Sequence, residues 1–212
     1  MKKYILLLAL LLSSTTFAVE PKFNDNFKQT KNEIETSSPG KIEVLELFWY
    51  GCIHCYSMDP YLDKWADSLP DDVVFKRVPA IPRKSWVPGA KAYFALETLG
   101  LEGKLHEKLF DAIHKGKDVD PNNEAALISW ITLNGKLDEK EVKAAFNSFS
   151  IDTKLKKSYK IFKEAGATGV PTIIIDGNYM TSSTMAGGEK NAIDITNYII
   201  ENIRNDRKKT SE

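Results

Sequence analysis

The amino-acid sequence predicts an α/β fold in which an all-helical segment interrupts a single sheet-forming domain. Three features lead there. A strand, helix, strand pattern occupies residues 42–78; no strand-like run follows from about residue 88 to 165, where apolar residues recur at helical spacing; strand character then returns over residues 172–180, ahead of a last amphipathic helix. Splitting one layer by an insertion is more economical than two tandem domains, because neither flank alone has enough strands for a stable sheet. The reading places a leader at 1–18, one domain over 19–86 and 166–212, and the helical insertion over 87–165.

The leader comes first. Lys2 and Lys3 precede the apolar run Tyr4 to Leu12, and Thr16-Phe17-Ala18 offers small residues three before and one before a cut, the pattern of a cleaved secretory signal ending at about Ala18. The run is too short to span a bilayer, which needs about 20 residues. Ile42 to Phe48 reads as a strand: Ile42, Val44, Glu46 and Phe48 share one face, Leu45 and Leu47 the other. Tyr56 to Leu69 reads as a helix with Leu62, Trp65 and Leu69 in register and a kink at Pro60, and Val73 to Val78 as a second strand. Within the insertion, Ala92, Leu96 and Leu99 form one stripe and Leu105, Leu109 and Ala112 the next. Asp120-Pro121 predicts a helix start, Asp138 with Glu141 a capping box, and Ile151 to Ala165 a further helix. Thr172 to Ile175 and Asn178 to Met180 flank an Asp176-Gly177 hairpin turn, and Ile195, Ile199 and Ile203 mark the final helix, about Glu189 to Arg204.

Composition narrows the class of function. The 212 residues include 29 basic and 29 acidic ones, 42% are hydrophobic and 27% charged, which excludes disordered, collagenous and multi-span membrane chains. Processing after Ala18 would leave 27 basic against 29 acidic residues, a formal charge of −2. That balance provides no basic surface for nucleic acid and no polybasic membrane anchor. The product expected is an exported, soluble protein, and export puts its cysteines where disulfides persist.

There are two cysteines, Cys52 and Cys55, separated by Ile53 and His54 where the first strand hands over to a helix. Free N–H groups at a helix start point at Cys52, and the helix dipole favours the thiolate by about one pKa unit. His54, inside the spacer, is the nearest additional donor or cation. A stabilised thiolate makes the disulfide a stronger oxidant and makes Cys52 a good leaving group. Cys52 is then the exposed attacking thiol and Cys55, a turn into the helix, the buried resolving one. Other uses of the pair fit less well. A structural disulfide across so short a loop restrains little chain entropy, a zinc site needs two more ligands from His54, His106 and His114, and haem attachment needs a histidine where Tyr56 stands. His106 and His114 read as ordinary surface or core histidines of the helical block.

Glu46 shares an apolar face six residues before Cys52, so burial would raise its pKa and fit it to accept and return the proton of Cys55. Gly169-Val170-Pro171-Thr172 puts a proline at the start of a strand, where it is tolerated and where the general preference is for a trans bond.

Phe48-Trp49-Tyr50-Gly51-Cys52-Ile53-His54-Cys55-Tyr56, Val170-Pro171-Thr172 and the helical block between them resemble the DsbA family of periplasmic thiol:disulfide oxidases, from about residue 40 to 205. The resemblance implies a thioredoxin fold with an all-helical domain inserted between its βαβ and ββα halves. It implies a cis-Pro171 facing the disulfide, with Val170 pairing its backbone to an extended substrate segment. The buried family acid maps onto Glu46, with Asp59 and Arg77 as a charged pair nearby. Ile53 stands where many members have proline, so the spacer that tunes the redox potential differs here. The implied activity is disulfide donation to reduced or unfolded exported proteins in the periplasm, without a cofactor beyond the cysteine pair or a metal. Reoxidation would come from a membrane quinone reductase of the DsbB type. The alternatives are a disulfide isomerase or reductase and a redox-linked chaperone; a metal carrier is more remote. Isomerases commonly carry an N-terminal dimerisation domain, and the 33 residues between Ala18 and Cys52 are too few for one, which favours a monomer.

Overall fold

The computed structural model describes residues 20–210, so the predicted leader lies outside the described residues. The elements run β1 (Lys28–Gln29), β2 (Ile42–Phe48), α1 (Ile53–Ala66), β3 (Val73–Pro79), a 3₁₀ turn (Lys84–Trp86), α2 (Val87–Thr98), α3 (Glu102–Asp111), a π turn (Ala112–Gly116), α4 (Glu124–Gly135), α5 (Glu139–Phe146), α6 (Phe149–Ala165), β4 (Thr172–Ile175), β5 (Tyr179–Ser182), α7 (Ser183–Ala186) and α8 (Glu189–Thr210).

Five strands form one mixed sheet in the order β1-β5-β4-β2-β3. β2 pairs in parallel with β3, from Ile42 opposite Val73 to Phe48 opposite Pro79, and antiparallel with β4, Val44 opposite Ile175 and Leu47 opposite Thr172. All seven residues of β2 are buried, as a strand covered on both faces requires. Ile42 and Val44 pack with Met58 and Leu62 of α1 and with Ile195 and Ile199 of α8. Leu45 and Leu47 pack on the other side with Ile161 and Ala165 of α6. The strand's last apolar residue leaves both layers: Phe48, with Tyr50 and Cys55, belongs to the helical core built from α2 to α6, among Leu96, Leu109 and Phe110.

The segments differ from the sequence reading at several ends. α1 begins at Ile53, immediately after Cys52, and continues through Pro60 to Ala66. Asp120 does not start a helix: it accepts from the Asn122 N–H at 2.9 Å in a tight turn, and Asn123, bonded to the Ala126 N–H at 3.1 Å, is the cap of α4. Asp138 does cap α5, through the Lys140 N–H at 2.7 Å. α8 extends six residues beyond Arg204, to Thr210. β1 was not foreseen, because its two residues lie in a polar stretch with no periodicity and are ordered by pairing with β5. Among the described residues no helix is long and apolar enough to cross a membrane.

The hairpin joins Ile175 of β4 to Tyr179 of β5 across three residues; Asp176 (φ 50°) and Gly177 (φ 70°) are both left-handed, and the Asn178 N–H closes the turn on the Ile175 carbonyl at 3.2 Å. A Cβ on Gly177 would fall 2.0 Å from the Ile34 carbonyl oxygen, which faces it from the segment joining β1 to β2. Gly177→Ala is therefore expected to cost about 2 kcal/mol or more. Urea denaturation checks this: the midpoint should fall with the slope unchanged, and an unmoved midpoint would show that the turn relaxes freely.

Candidate active site

Cys52 is the N-cap of α1, with extended backbone at φ −92° and ψ 116°, and its sulfur accepts the Cys55 N–H at 3.4 Å. A sulfur thus takes the place usually held by a serine or aspartate oxygen. Both cysteines are free thiols; Cys52 is half-buried rather than open, and Cys55 is fully buried. Hydrogen bonding from the Cys55 thiol is the largest influence on Cys52 and, with the N–H groups of Cys55 and His54 and the charge of the His54 ring, outweighs burial to bring its pKa down to about 6. The His54 side chain is exposed, and its backbone N–H acts on the sulfur ahead of its ring. Cys55 moves the other way: burial, then the bond it gives to Cys52, push its pKa well above the ordinary thiol value.

The loop is shaped by aromatic packing. The Trp49 indole stacks on Trp86, centroids 4.1 Å apart and planes within 5°, and folds over Gly51. A Cβ at Gly51 would lie 2.5 Å from that ring, so a larger residue before Cys52 would have to push the stacked indole aside. Opposite the cysteines, the Val170-Pro171 bond is cis, and the Val170 carbonyl lies 3.4 Å from the Cys52 sulfur, which donates to it in the thiol form. The Thr172 hydroxyl donates to the Gly169 carbonyl at 2.9 Å within the same turn.

Beneath the dithiol lies a buried charge cluster. Glu46, 1% exposed, has a carboxylate oxygen 3.3 Å from Arg77 Nε, but neither oxygen accepts a well-aligned hydrogen bond from a described residue. Burial dominates, and Glu46 rises to about 8 in spite of Arg77. Its charge is close enough to Cys55 to raise that thiol further. Arg77 also pairs with Asp59 at 2.9 Å and with Asp63 at 2.5 Å.

Two histidines that read as ordinary in the sequence join this region. His106 Nε2 lies 3.1 Å from Asp59, and Nδ1 lies 2.8 Å from the Tyr50 hydroxyl. A carboxylate only accepts, so Nε2 carries a proton and donates it to Asp59. Burial would raise Asp59, but the bond from His106 and the charges of His106 and Arg77 hold it below the ordinary value. His114 Nε2 lies 2.7 Å from the Tyr50 carbonyl oxygen. Their partners are 47 to 64 residues away in sequence, beyond the reach of any local pattern. A helical stripe was the one available signal: His106 falls between the buried Leu105 and Leu109 and next to Phe110 in the fold.

A model of the DSBA-like thioredoxin domain matches residues 62–194, a stretch that begins after the cysteine pair. The thiol:disulfide interchange protein DsbA of Azotobacter vinelandii is 36% identical over 184 residues, covering 86% of this chain and 85% of the relative. The crystal structure of Pseudomonas aeruginosa DsbA superposes with a TM-score of 0.80 at 33% identity, covering 89% of this chain and 97% of the other. The oxidoreductase DsbA from Xylella fastidiosa superposes at 0.81 and 28% identity, covering 87% and 98%. With the sheet order, the inserted helices and a low-pKa thiol over a buried one, these likenesses make the chain a member of the DsbA family and a thiol:disulfide oxidoreductase of thioredoxin-like fold.

Proposed function

We propose that the protein introduces disulfides into exported proteins by donating a Cys52–Cys55 disulfide through a mixed-disulfide intermediate. The observation that carries this reading is the split between the two thiols, one lowered to about 6 and its neighbour raised. A substrate thiolate attacks the Cys52 sulfur, the Cys52–Cys55 bond breaks, and Cys55 leaves with the electron pair. Glu46, with a pKa of about 8, holds a proton at neutral pH and gives it to Cys55; Arg77 then faces the resulting carboxylate. A second substrate thiolate attacks the substrate sulfur of the mixed disulfide. The substrate disulfide forms, Cys52 departs as a thiolate, and two electrons remain on the protein. A pKa near 6 makes Cys52 about nine-tenths thiolate at pH 7, a good leaving group in this step. His54 contributes its N–H and its charge to that thiolate, and Val170 beside Pro171 supplies backbone groups with which an extended substrate strand pairs.

The same reading puts the mature protein in the periplasm, after cleavage at about Ala18, working as a monomer without a cofactor or metal. Residues 87–165 form the insertion, and 19–86 with 166–212 the thioredoxin-like domain. Reduced or unfolded exported proteins are the substrates, and a membrane quinone reductase of the DsbB type removes the electrons.

Four measurements test it. Ultraviolet titration of the Cys52 thiolate should give a value near 6, and an ordinary thiol value would remove the oxidant claim. Glu46→Gln should slow the steps that move the Cys55 proton, formation of the mixed disulfide and its resolution by Cys55, by about tenfold to a hundredfold. It should also change the pH dependence of stability. An acid raised from 4.5 to about 8 costs nothing below the lower value; the cost grows as pH climbs between the two, because the unfolded chain ionises first. In the reduced protein, Glu46→Gln should therefore gain on the unsubstituted chain between pH 5 and 8, by on the order of 3 kcal/mol at pH 7. A stability difference that is flat with pH would contradict a raised Glu46. Finally, Ile53, 53% exposed in the spacer, is free to tune the thiolate without touching the core. Ile53→Pro should shift the glutathione equilibrium, and no shift would mean that the potential is set elsewhere.

A further inference from the structure

The loop from Gly51 to Cys55 is flanked by Tyr50 and Tyr56, and one side chain of the insertion touches both flanks. His114 Nε2 is 2.7 Å from the Tyr50 carbonyl oxygen. A carbonyl only accepts, so Nε2 carries the proton and donates it. The same imidazole stacks on the Tyr56 ring, with centroids 4.9 Å apart and planes within 14°. The Tyr56 hydroxyl donates to Asp111 Oδ1 at 2.8 Å, and Lys115 Nζ meets that oxygen at 2.9 Å. Tyr56 is thereby fixed by its face and by its tip, both from the stretch 111–115.

The backbone that presents His114 is itself unusual. α3 gives way to the π turn at Ala112–Gly116, closed by Lys117 in the left-handed region at φ 56°, with its N–H on the Ala112 carbonyl. Such turns are rare and recur at functional sites. Phe110 and Ile113, both buried in the helical core, anchor the turn from below.

We propose that His114 is a positioning residue for the dithiol: by holding the Tyr50 carbonyl and the Tyr56 ring at once, it keeps the Cys52 sulfur seated on the N-terminal N–H groups of α1. The sulfur has little slack there. Its bond from the Cys55 N–H is 3.4 Å, and hydrogen bonds weaken steeply as their geometry departs from alignment. A Tyr50 peptide released from His114 can rotate and carry Cys52 away from those donors. The helical insertion then does more than cover the sheet; through His114 it sets how strongly the dithiol oxidises. The inference rests on the assignment of Cys52 as the attacking thiol.

Two variants separate the donor from the bulk. His114→Phe keeps a ring against Tyr56 and removes the Nε2–H; His114→Gln keeps an N–H donor at about the same reach and removes the ring. Thiolate titration and the glutathione equilibrium are read on the same samples, with melting temperature as control. The expected result for His114→Phe is a rise of about half a pH unit or more in the Cys52 pKa, with an equilibrium constant for oxidising glutathione about threefold lower. His114→Gln should recover most of both at a similar melting temperature. A depressed Cys52 in the unsubstituted protein that His114→Phe leaves unmoved would overturn the positioning role alone, as would equal shifts in both variants. An ordinary Cys52 titration in the unsubstituted protein would overturn the thiol assignment and the proposal with it. Should His114→Phe fail to fold, ¹⁵N NMR of the unsubstituted protein decides: a protected Nε2–H on His114 supports the proposal and an unprotonated Nε2 overturns it.

Discussion

At the mouth of α1 the Cys52 sulfur accepts the Cys55 N–H at 3.4 Å, the bond that a side-chain oxygen accepts in most helix caps. Sulfur is a weak acceptor as a thiol and a strong one as a thiolate. The helix is therefore better capped when Cys52 is ionised, and the thiolate is better stabilised while the helix start is intact. Folding and redox chemistry draw on one contact. The rest of the structure supplies what this contact needs: a strand that delivers Cys52 to the helix axis, a glycine that lets Trp49 fold over the approach, and a buried position for Cys55 one turn in.

Burial works on the two sulfurs with opposite results. Cys52 lies over N–H donors that favour its charged form; Cys55 lies in the apolar helical core, where burial outweighs the backbone hydrogen bond from Trp49. Glu46 and Arg77 sit below as a second pair of unequal groups. Arg77 is shared between Glu46, Asp59 and Asp63, and its tightest contacts go to the two aspartates. His106 fixes Asp59 from the other side and keeps it ionised. With Asp59 holding much of the guanidinium, Glu46 is left under-neutralised in an apolar strand face, which is what lifts its pKa toward the range where it exchanges protons near neutral pH. The cluster is thus a way of keeping one carboxyl protonated by giving its counter-ion to another.

Much of this was legible in the sequence, for local reasons. The alternation along Ile42 to Phe48 exposed Glu46 as an acid on an apolar face, and the Cys52 to Cys55 spacing at a strand-to-helix junction marked the dithiol. Asp176-Gly177 announced its hairpin, because the turn's positive φ values select those residue types. What escaped notice depends on distance along the chain. His106 and His114 look like any histidines on an amphipathic helix until the fold brings Tyr50, Asp59 and Tyr56 beside them. β1 has no pattern of its own, and the start of α4 was misjudged because Asp120 satisfies a turn as readily as a helix. The π turn has no sequence signature; the buried Phe110 and Ile113 hold it in the helical core.

The topology explains why a helical block belongs beside this dithiol. β2 places Ile42 to Leu47 in the two sheet cores, but its last residue and those beyond it, Phe48 and Tyr50, pack in the core made by α2 to α6. The redox loop therefore sits on a seam, its entry held by the sheet and its surroundings by the insertion. A sheet alone fixes where Cys52 emerges, since β-ladder geometry determines the strand's end. It does not fix the rotation of the peptides after that end, because they have no neighbouring strand to bond. In this fold the backbone groups just past β2 are taken up within the loop and by the insertion: the Cys52 N–H goes to the Trp49 carbonyl and the Tyr50 carbonyl to His114. An unpaired carbonyl there would be free to turn toward the thiolate and oppose it. Satisfying it from a rigid turn removes that freedom, and the acidity of Cys52 becomes a property of two cores meeting rather than of the four-residue motif alone.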